Sequence, residues 1–305
     1  MRVFTSCIFA WLRGSYRKYN RRSWAFQGGS QYTPAWAIRH ALSLAVAAAF
    51  VVPLLWVVAA SLRLPGMPPP RTIEWLPSPV AWSNYRLIFE LVPLGRYTLN
   101  SLVVVALAVP ITLVTASWAG FAMTQLPARV RRPLIVLAVL LRMVPSTALW
   151  LTRFILFKEL MLIDTLWALV APALMGTNPL FVLLFYWTFR RIPPALFDSA
   201  RLDGAGLLSI WARIAMPLAR PTITAVSVLA FTFYWSDFIN PLLYLKSESR
   251  YTLPIGLQVL QQMDKTNWPL LMAGVIVMAG PIVLMFLLMQ RYFWPEGRLA
   301  GISGN

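Results

Sequence analysis

Residues 192–221 read IPPALFDSARLDGAGLLSIWARIAMPLARP, and this stretch decides how the rest of the chain is read. It is a polar, basic island between long apolar segments. It carries Asp198 and Asp203, two of only 10 acidic residues in the chain. Asp203-Gly204-Ala205 predicts a turn between two short helices, because Gly204 takes a positive φ at little cost. Beyond the turn, Leu207, Leu208, Trp211, Ile214 and Ala215 recur at helical spacing and predict one apolar face. Arg213 and Arg220 flank that face, and Pro217 and Pro221 punctuate the entry into the next apolar segment.

Working outward, the 305 residues are 59% hydrophobic and 12% charged, where a soluble globular chain is nearer a quarter charged. Such a chain must hide its surface in lipid or in partners. The net charge of +17 raises nucleic acid as a partner. The cations, however, bracket apolar runs rather than forming one basic domain, so no nucleic-acid partner is expected. The single cysteine, Cys7, excludes an intrachain disulfide and a Cys metal cluster, and His40 is the only histidine. No Gly-rich phosphate loop is present, so no ATP binding and no cofactor or metal are expected on this chain. No paired carboxylate or His/Ser constellation suggests an enzyme.

Six segments are long enough to cross a hydrocarbon core of roughly 30 Å, which takes about 20 helical residues. They are 41–62, 99–124, 133–157, 166–189, 222–245 and 268–290. The expected class is an all-α polytopic membrane protein. Its parts are a basic arm (1–40), a membrane domain (41–293) and a short tail (294–305). The arm carries Arg2, Arg13, Arg17, Lys18, Arg21, Arg22 and Arg39 and no acid. It reads as a cytoplasmic tail with aromatic residues for the headgroups, or alternatively as a weak presequence. Placing the N-terminus inside puts 17 Lys/Arg on the cytoplasmic side and 8 outside. The positive-inside rule then selects both termini inside and the 192–221 loop cytoplasmic. In the first outer loop, Trp82-Ser83-Asn84-Tyr85 predicts a short helix with Ser83 or Asn84 near its cap.

The loop closely resembles the "EAA" loop of ATP-binding-cassette importer permeases. The matching positions are Ile192-Pro193, Leu196, Asp198-Ser199-Ala200, Asp203-Gly204-Ala205, Ile214, Pro217-Leu218 and Pro221, with Asp198-Ser199 in place of the usual Glu-Ala. From about Ala41 onward the chain is similar to the carbohydrate-importer subgroup, in particular to the smaller permease of the maltose type. The similarity rests on Asn100-Ser101-Leu102, Ala119-Gly120-Phe121-Ala122, Met143-Val144-Pro145, Trp235-Ser236-Asp237-Phe238 and the run Tyr251 to Leu257. Ser236 replaces the common Asn, and the usual C-terminal ending is altered.

The resemblance implies a type I importer permease fold in a bacterial inner membrane. It implies a second homologous permease, two cytoplasmic ATPase subunits holding ATP and Mg, and an extracytoplasmic solute-binding protein. The cargo implied is a sugar or related polyhydroxy solute. Polyamine, phosphate-ester and peptide cargo remain alternatives, as does a membrane-anchored basic-surface binder.

The implied coupling helix runs from about Gly204 to Ile214, with Leu208 and Trp211 as anchors in an ATPase groove. Asp198 and Asp203 either hold the two short helices together through hydrogen bonds or cap them; Ala200, Ala205 and Pro217 complete the loop. Trp235, Asp237, Asn240 and Asn178 are candidates for the translocation path, since a polar group beside an aromatic face suits sugar hydroxyls and ring faces. The alternative for Asp237 is pairing with a neighbouring helix through Arg142 or Arg153.

Overall fold

The computed structural model describes residues 34–72, 74–175 and 178–292. Among these the regular structure is helical throughout. The expected arm lies outside the described residues as far as residue 33, and the expected tail lies wholly outside them. The chain divides into two compact units, Met1–Val51 and Val52–Asn305. Helix α1, Pro34–Ser61, runs across that boundary and starts before the expected Ala41. From Ile38 to Phe50 its residues are exposed and largely apolar all round, as a lipid-facing span is.

In the larger unit the end of α1 is tied to α2, Asn84–Leu91. The Asn84 side-chain amide donates to the carbonyls of Ser61 (2.8 Å) and Arg63 (2.7 Å). The Tyr85 hydroxyl and Ser61 Oγ lie 2.8 Å apart. The expected helix is therefore present, but Ser83 makes no side-chain cap, and Asn84 serves as a tether instead.

Helix α3, Leu94–Gln125, is unbroken and lies at the centre. At Gly120 a Cβ would sit 2.9 Å from Tyr186 N and 2.9 Å from the Val182 carbonyl. Those atoms belong to α7, Pro179–Phe189, so the two backbones touch, as small residues allow between membrane helices. Thr115 Oγ1 donates to the Ala173 carbonyl at 2.9 Å, on α6, Trp167–Leu174. Thr112 and the Tyr234 hydroxyl, on a later helix, are 3.0 Å apart. Such interhelical bonds average about 0.6 kcal/mol, so they fix rotation and register more than they stabilise.

The third expected segment is not one rod. Helix α4, Ala128–Met143, and the pair Ser146–Leu149 (3₁₀) and α5, Trp150–Glu159, meet at 91°. Pro145 explains the break, since it biases Val144 away from helix, and Val144 is extended at ψ 120°. The fourth segment is interrupted between α6 and α7. There Asn178 Oδ1 accepts from Leu180 N at 3.2 Å and Pro179 takes the first helical position; both are helix-start signals.

The C-terminal end of α7 leads into α8, Pro194–Leu202. A helical run follows, made of α9, Leu207–Ile210, a π turn, Trp211–Ala215, and α10, Met216–Leu218. Helix α11, Arg220–Trp235, leaves that run at 84°. The fifth expected segment stops at Trp235 and resumes as α12, Ile239–Tyr244. Helices α13, Leu253–Met263, and α14, Trp268–Met289, close the unit. Among the described residues, α1, α3, α14 and the span made of α6 and α7 are long and apolar enough to cross a membrane, which gives four spans, or up to six if each bent pair counts as one.

Two sequence elements some 150 residues apart prove to be one joint. Asn100 Nδ2 donates to the carbonyls of Ser249 (3.0 Å) and Tyr251 (2.9 Å), and Leu253 N donates to Ser101 Oγ at 2.9 Å. Beside it Asp164, at φ 60°, clamps the same loop. Its carboxylate accepts the backbone N–H groups of Lys246 and Ser247 and the Ser247 hydroxyl, and Arg250 Nη1 lies 3.4 Å away. The bonds from Ser247 are the main reason its pKa falls from 3.8 to about 2.

Two outcomes follow from this packing. Gly120→Ala lowers stability by about 1–3 kcal/mol, read as a lower melting temperature in detergent. Gly95→Ala, whose Cβ meets nothing within 4 Å, does not. For Asp164 the folded pKa lies below the unfolded one, so its carboxylate stabilises fully above about pH 4 and loses that contribution as pH falls toward about 2. The melting-temperature gap between the wild type and Asp164→Asn therefore narrows across that window. A gap unchanged from pH 5 to pH 2 contradicts the clamp.

Candidate functional site

The 192–221 loop folds as a capped elbow. Helix α8 starts with Pro194 at its first position and ends in a Schellman motif. The Ala205 N–H donates to the Ala200 carbonyl at 2.9 Å, and the Gly204 N–H donates to the Arg201 carbonyl at 3.0 Å. Gly204 has φ +79°, the left-handed conformation that motif requires. Space is not the reason for glycine there, because an added Cβ meets nothing within 4 Å. A larger side chain there meets a backbone penalty, about 1–2 kcal/mol for an L-residue, rather than a clash. The spacing of Ala200, Asp203, Gly204 and Ala205 is the spacing of this cap. The two alanines are small enough for the chain to fold back, and Ala200 is buried.

The inner face of the elbow is aromatic. Phe197 and Phe189 both meet Phe121 edge-on, at 6.0 and 5.8 Å between ring centroids. Ile210, Ala215 and Ala219 belong to the same buried cluster. Trp211 turns inward: it is half-buried and meets Trp118 of α3 edge-on at 5.5 Å. Its indole N–H is buried without a partner among the described residues, so packing holds it rather than hydrogen bonding.

The outward face carries Leu202, Leu207 and Leu208, exposed by 90%, 59% and 63%. Pro217 is exposed at the far end of the run. Of the two expected anchors, Leu208 therefore points away from the body and Trp211 into it. The single apolar face expected from Leu207 to Ala215 is therefore split: Leu207 and Leu208 are exposed, Trp211 and Ile214 half-buried and Ala215 buried, while the exposure of Leu202 was not anticipated. Leu202 precedes the turn, and periodicity carried across a turn gives no signal for it.

The acids separate as well. Asp198 pairs with Arg201 at 3.0 Å across one helical turn, and Arg201 also donates to the Gln125 side chain at the end of α3. Both members of the ion pair are substantially exposed, so the pair contributes well under about 1 kcal/mol. Asp203 occupies the C-cap of α8 with its side chain exposed.

A second site lies where three segments break. A cavity of about 520 Å³ is lined by residues beside the Pro145 bend (Arg142, Ser146, Trp150, Arg153), by Asn178 and Pro179, and by Tyr234 and residues 236–240. Three of the four expected path residues, Asn178, Asp237 and Asn240, meet there. Asp237 accepts Asn240 Nδ2 at 2.8 Å and Asn240 N at 3.2 Å, which starts α12. Arg153 acts on Asp237 and on the Tyr244 hydroxyl electrostatically, but Asp237 makes no ion pair among the described residues. Trp235 stands apart. It is fully buried, stacks on Phe231 at 5.6 Å, and donates its indole N–H to the Met278 carbonyl at 2.8 Å. It pins α11 to α14 and does not line the cavity.

No group of three or more His, Cys, Asp or Glu able to hold a metal ion occurs among the described residues.

Comparison with known proteins places this geometry. The chain is 32% identical over 260 residues to the arabinooligosaccharides transport system permease protein AraQ of Halalkalibacterium halodurans, covering 83% of this chain and 91% of that one. It is 28% identical over 268 residues to the trehalose transport system permease protein SugB of Mycobacterium tuberculosis, covering 86% and 95%. Its fold is similar to a chain in the crystal structure of a bacterial ABC transporter involved in the import of the acidic polysaccharide alginate. That match has a TM-score of 0.68 at 19% identity and covers 86% of this chain and 99% of the other. Residues 108–296, which include the elbow and the whole cavity lining, match the family model described as binding-protein-dependent transport system inner membrane component. The chain belongs to that family.

Proposed function

We propose that this chain is one of two permease subunits of an ATP-driven importer in a bacterial inner membrane, and that it carries a sugar or related polyhydroxy solute. The observation that carries the coupling role is the elbow: a rigidly capped turn with Leu202, Leu207 and Leu208 exposed beside it. Helix-in-groove recognition uses such apolar anchors on a preformed helix. Two ATPase subunits supply the groove and bind ATP and Mg. This chain binds neither.

The elbow is seated on Phe121 of α3 and Phe189 of α7, the two helices whose backbones touch at Gly120. A displacement applied at the leucines therefore moves packed rods rather than a loose loop. The excess of Lys/Arg on the inner side supports both termini and the elbow being cytoplasmic. An extracytoplasmic solute-binding protein delivers the solute, and a second, homologous permease completes the pathway. Asn178, Asp237 and Asn240 line this chain's share of that path, with Trp235 supporting it from behind. The names of the AraQ and SugB relatives support carbohydrate cargo.

The test is uptake by the assembled transporter in proteoliposomes, with ATPase association read by co-purification. Leu207→Arg with Leu208→Arg abolishes co-purification and lowers uptake at least about tenfold, since apolar anchors are worth about 2 kcal/mol or more each. Membrane insertion of this variant is unchanged. Gly204→Asn keeps uptake, because Asn tolerates the left-handed conformation; Gly204→Val loses it. Normal co-purification in the double variant sinks the coupling role.

A further inference from the structure

The cavity lining holds three residues of formal charge, Arg142, Arg153 and Asp237. With two cations and one anion, the lining is net positive. The three are not equivalent. Arg153 is half-buried and acts on Asp237, which Asn240 holds from its own helix. Those two charges are opposite in sign and share the lining, without forming an ion pair. Arg142 has no such counterpart. It lies on the last turn of α4, one residue before the bend. It is exposed, and no ion pair or side-chain hydrogen bond to it is described among the described residues.

A guanidinium stays charged and presents five donors in a planar fork that fits a carboxylate, sulfonate or phosphate. Left unpaired at hydrocarbon depth it is costly, so such a residue faces a water-filled cavity and marks a substrate pathway or an ion pair. Here it shares a cavity with Ser146, Asn178 and Asn240, whose groups suit hydroxyls, and with the Trp150 ring, which suits a sugar face. The arrangement is one cation without a partner in this chain, set beside neutral polar groups and the opposite charges of Arg153 and Asp237. It is not a second acidic or basic cluster.

Resting on the reading of this cavity as the solute's path, we infer that the solute is an acidic sugar and that Arg142 selects its anionic group. Asp237 repels such a group by like charge, and the Arg153 guanidinium offsets that repulsion. A neutral sugar gives the Arg142 donors no anion to pair with, and a site built around a polar contact discriminates against an analogue that lacks the matching group.

The test uses the complete transporter in proteoliposomes with its binding protein. The probes are matched oligosaccharide pairs in which a carboxylate, sulfonate or phosphate ester in one member is a primary alcohol in the other. For at least one pair the acidic member is taken up at least about tenfold faster, the scale of a charge-assisted hydrogen bond. Arg142→Gln brings the ratio of acidic to neutral uptake close to one, and Arg142→Lys keeps part of the preference. Equal uptake of both members by the wild type, or a preference for the neutral one, overturns the inference and leaves the carbohydrate permease standing. An Arg142→Gln variant that slows both members alike also overturns it, because Arg142 is then a structural partner of the second permease. Uptake of a non-carbohydrate solute with none of either member removes the carbohydrate reading and this inference together.

Discussion

The body of this protein is built on the contact between α3 and α7 at Gly120, where one backbone lies directly on another. Lipid offers no hydrophobic drive for two apolar rods to associate, so close approach and a few hydrogen bonds must supply it. Once α3 and α7 are locked, α3 serves as a rail. Thr115 holds α6, Thr112 meets Tyr234 of α11, and Asn100 with Ser101 fixes the loop before α13. Phe121, the next residue after Gly120, seats the elbow. The same rail thus carries the elbow at one end and the 249–253 joint at the other.

The elbow combines stiffness with exposed apolar surface. The stiffness comes from backbone geometry: a Schellman cap on α8, a π turn after α9, and a tryptophan wedged against α3. The exposed ion pair of Asp198 and Arg201 adds little energy, although Arg201 links the elbow to Gln125 at the end of α3. Three leucines left in the open on a rigid turn form an apolar surface, and such surfaces in other proteins mark interaction sites. π turns are themselves concentrated at functional positions.

Irregular backbone inside a membrane is tolerated only where protein or a polar cavity satisfies its freed groups. Three breaks, at Val144–Pro145, around Asn178 and at residues 236–238, all border one cavity. Asn178 and Asp237 each satisfy backbone N–H groups of the helix that restarts after its break. Two of the residues that make the cavity polar, Asn178 and Asp237, therefore also repair broken helices. Residues suited to solute hydroxyls arise at these positions because the fold already requires polar groups there.

Apolar length and the placement of Pro, Gly and charge were enough to read the class, most span positions and the turn at Gly204. Hydrocarbon thickness, helix rise and permitted φ values are local constraints that a sequence carries openly. The sequence did not reveal that Pro145 turns the third segment through 91°, since a proline inside a membrane helix can equally be absorbed. It could not assign directions within one aromatic set. Trp211 and Trp235 both read as functional faces, and packing turned both inward, against Trp118 and Met278. Nor could it join Asn100 to Tyr251, or bring Arg142, Asn178 and Asp237 to one cavity. Those relations depend on which surfaces touch across long separations. Contact of that kind is settled by where helices can approach most closely, and only the assembled packing around Gly120 decides it.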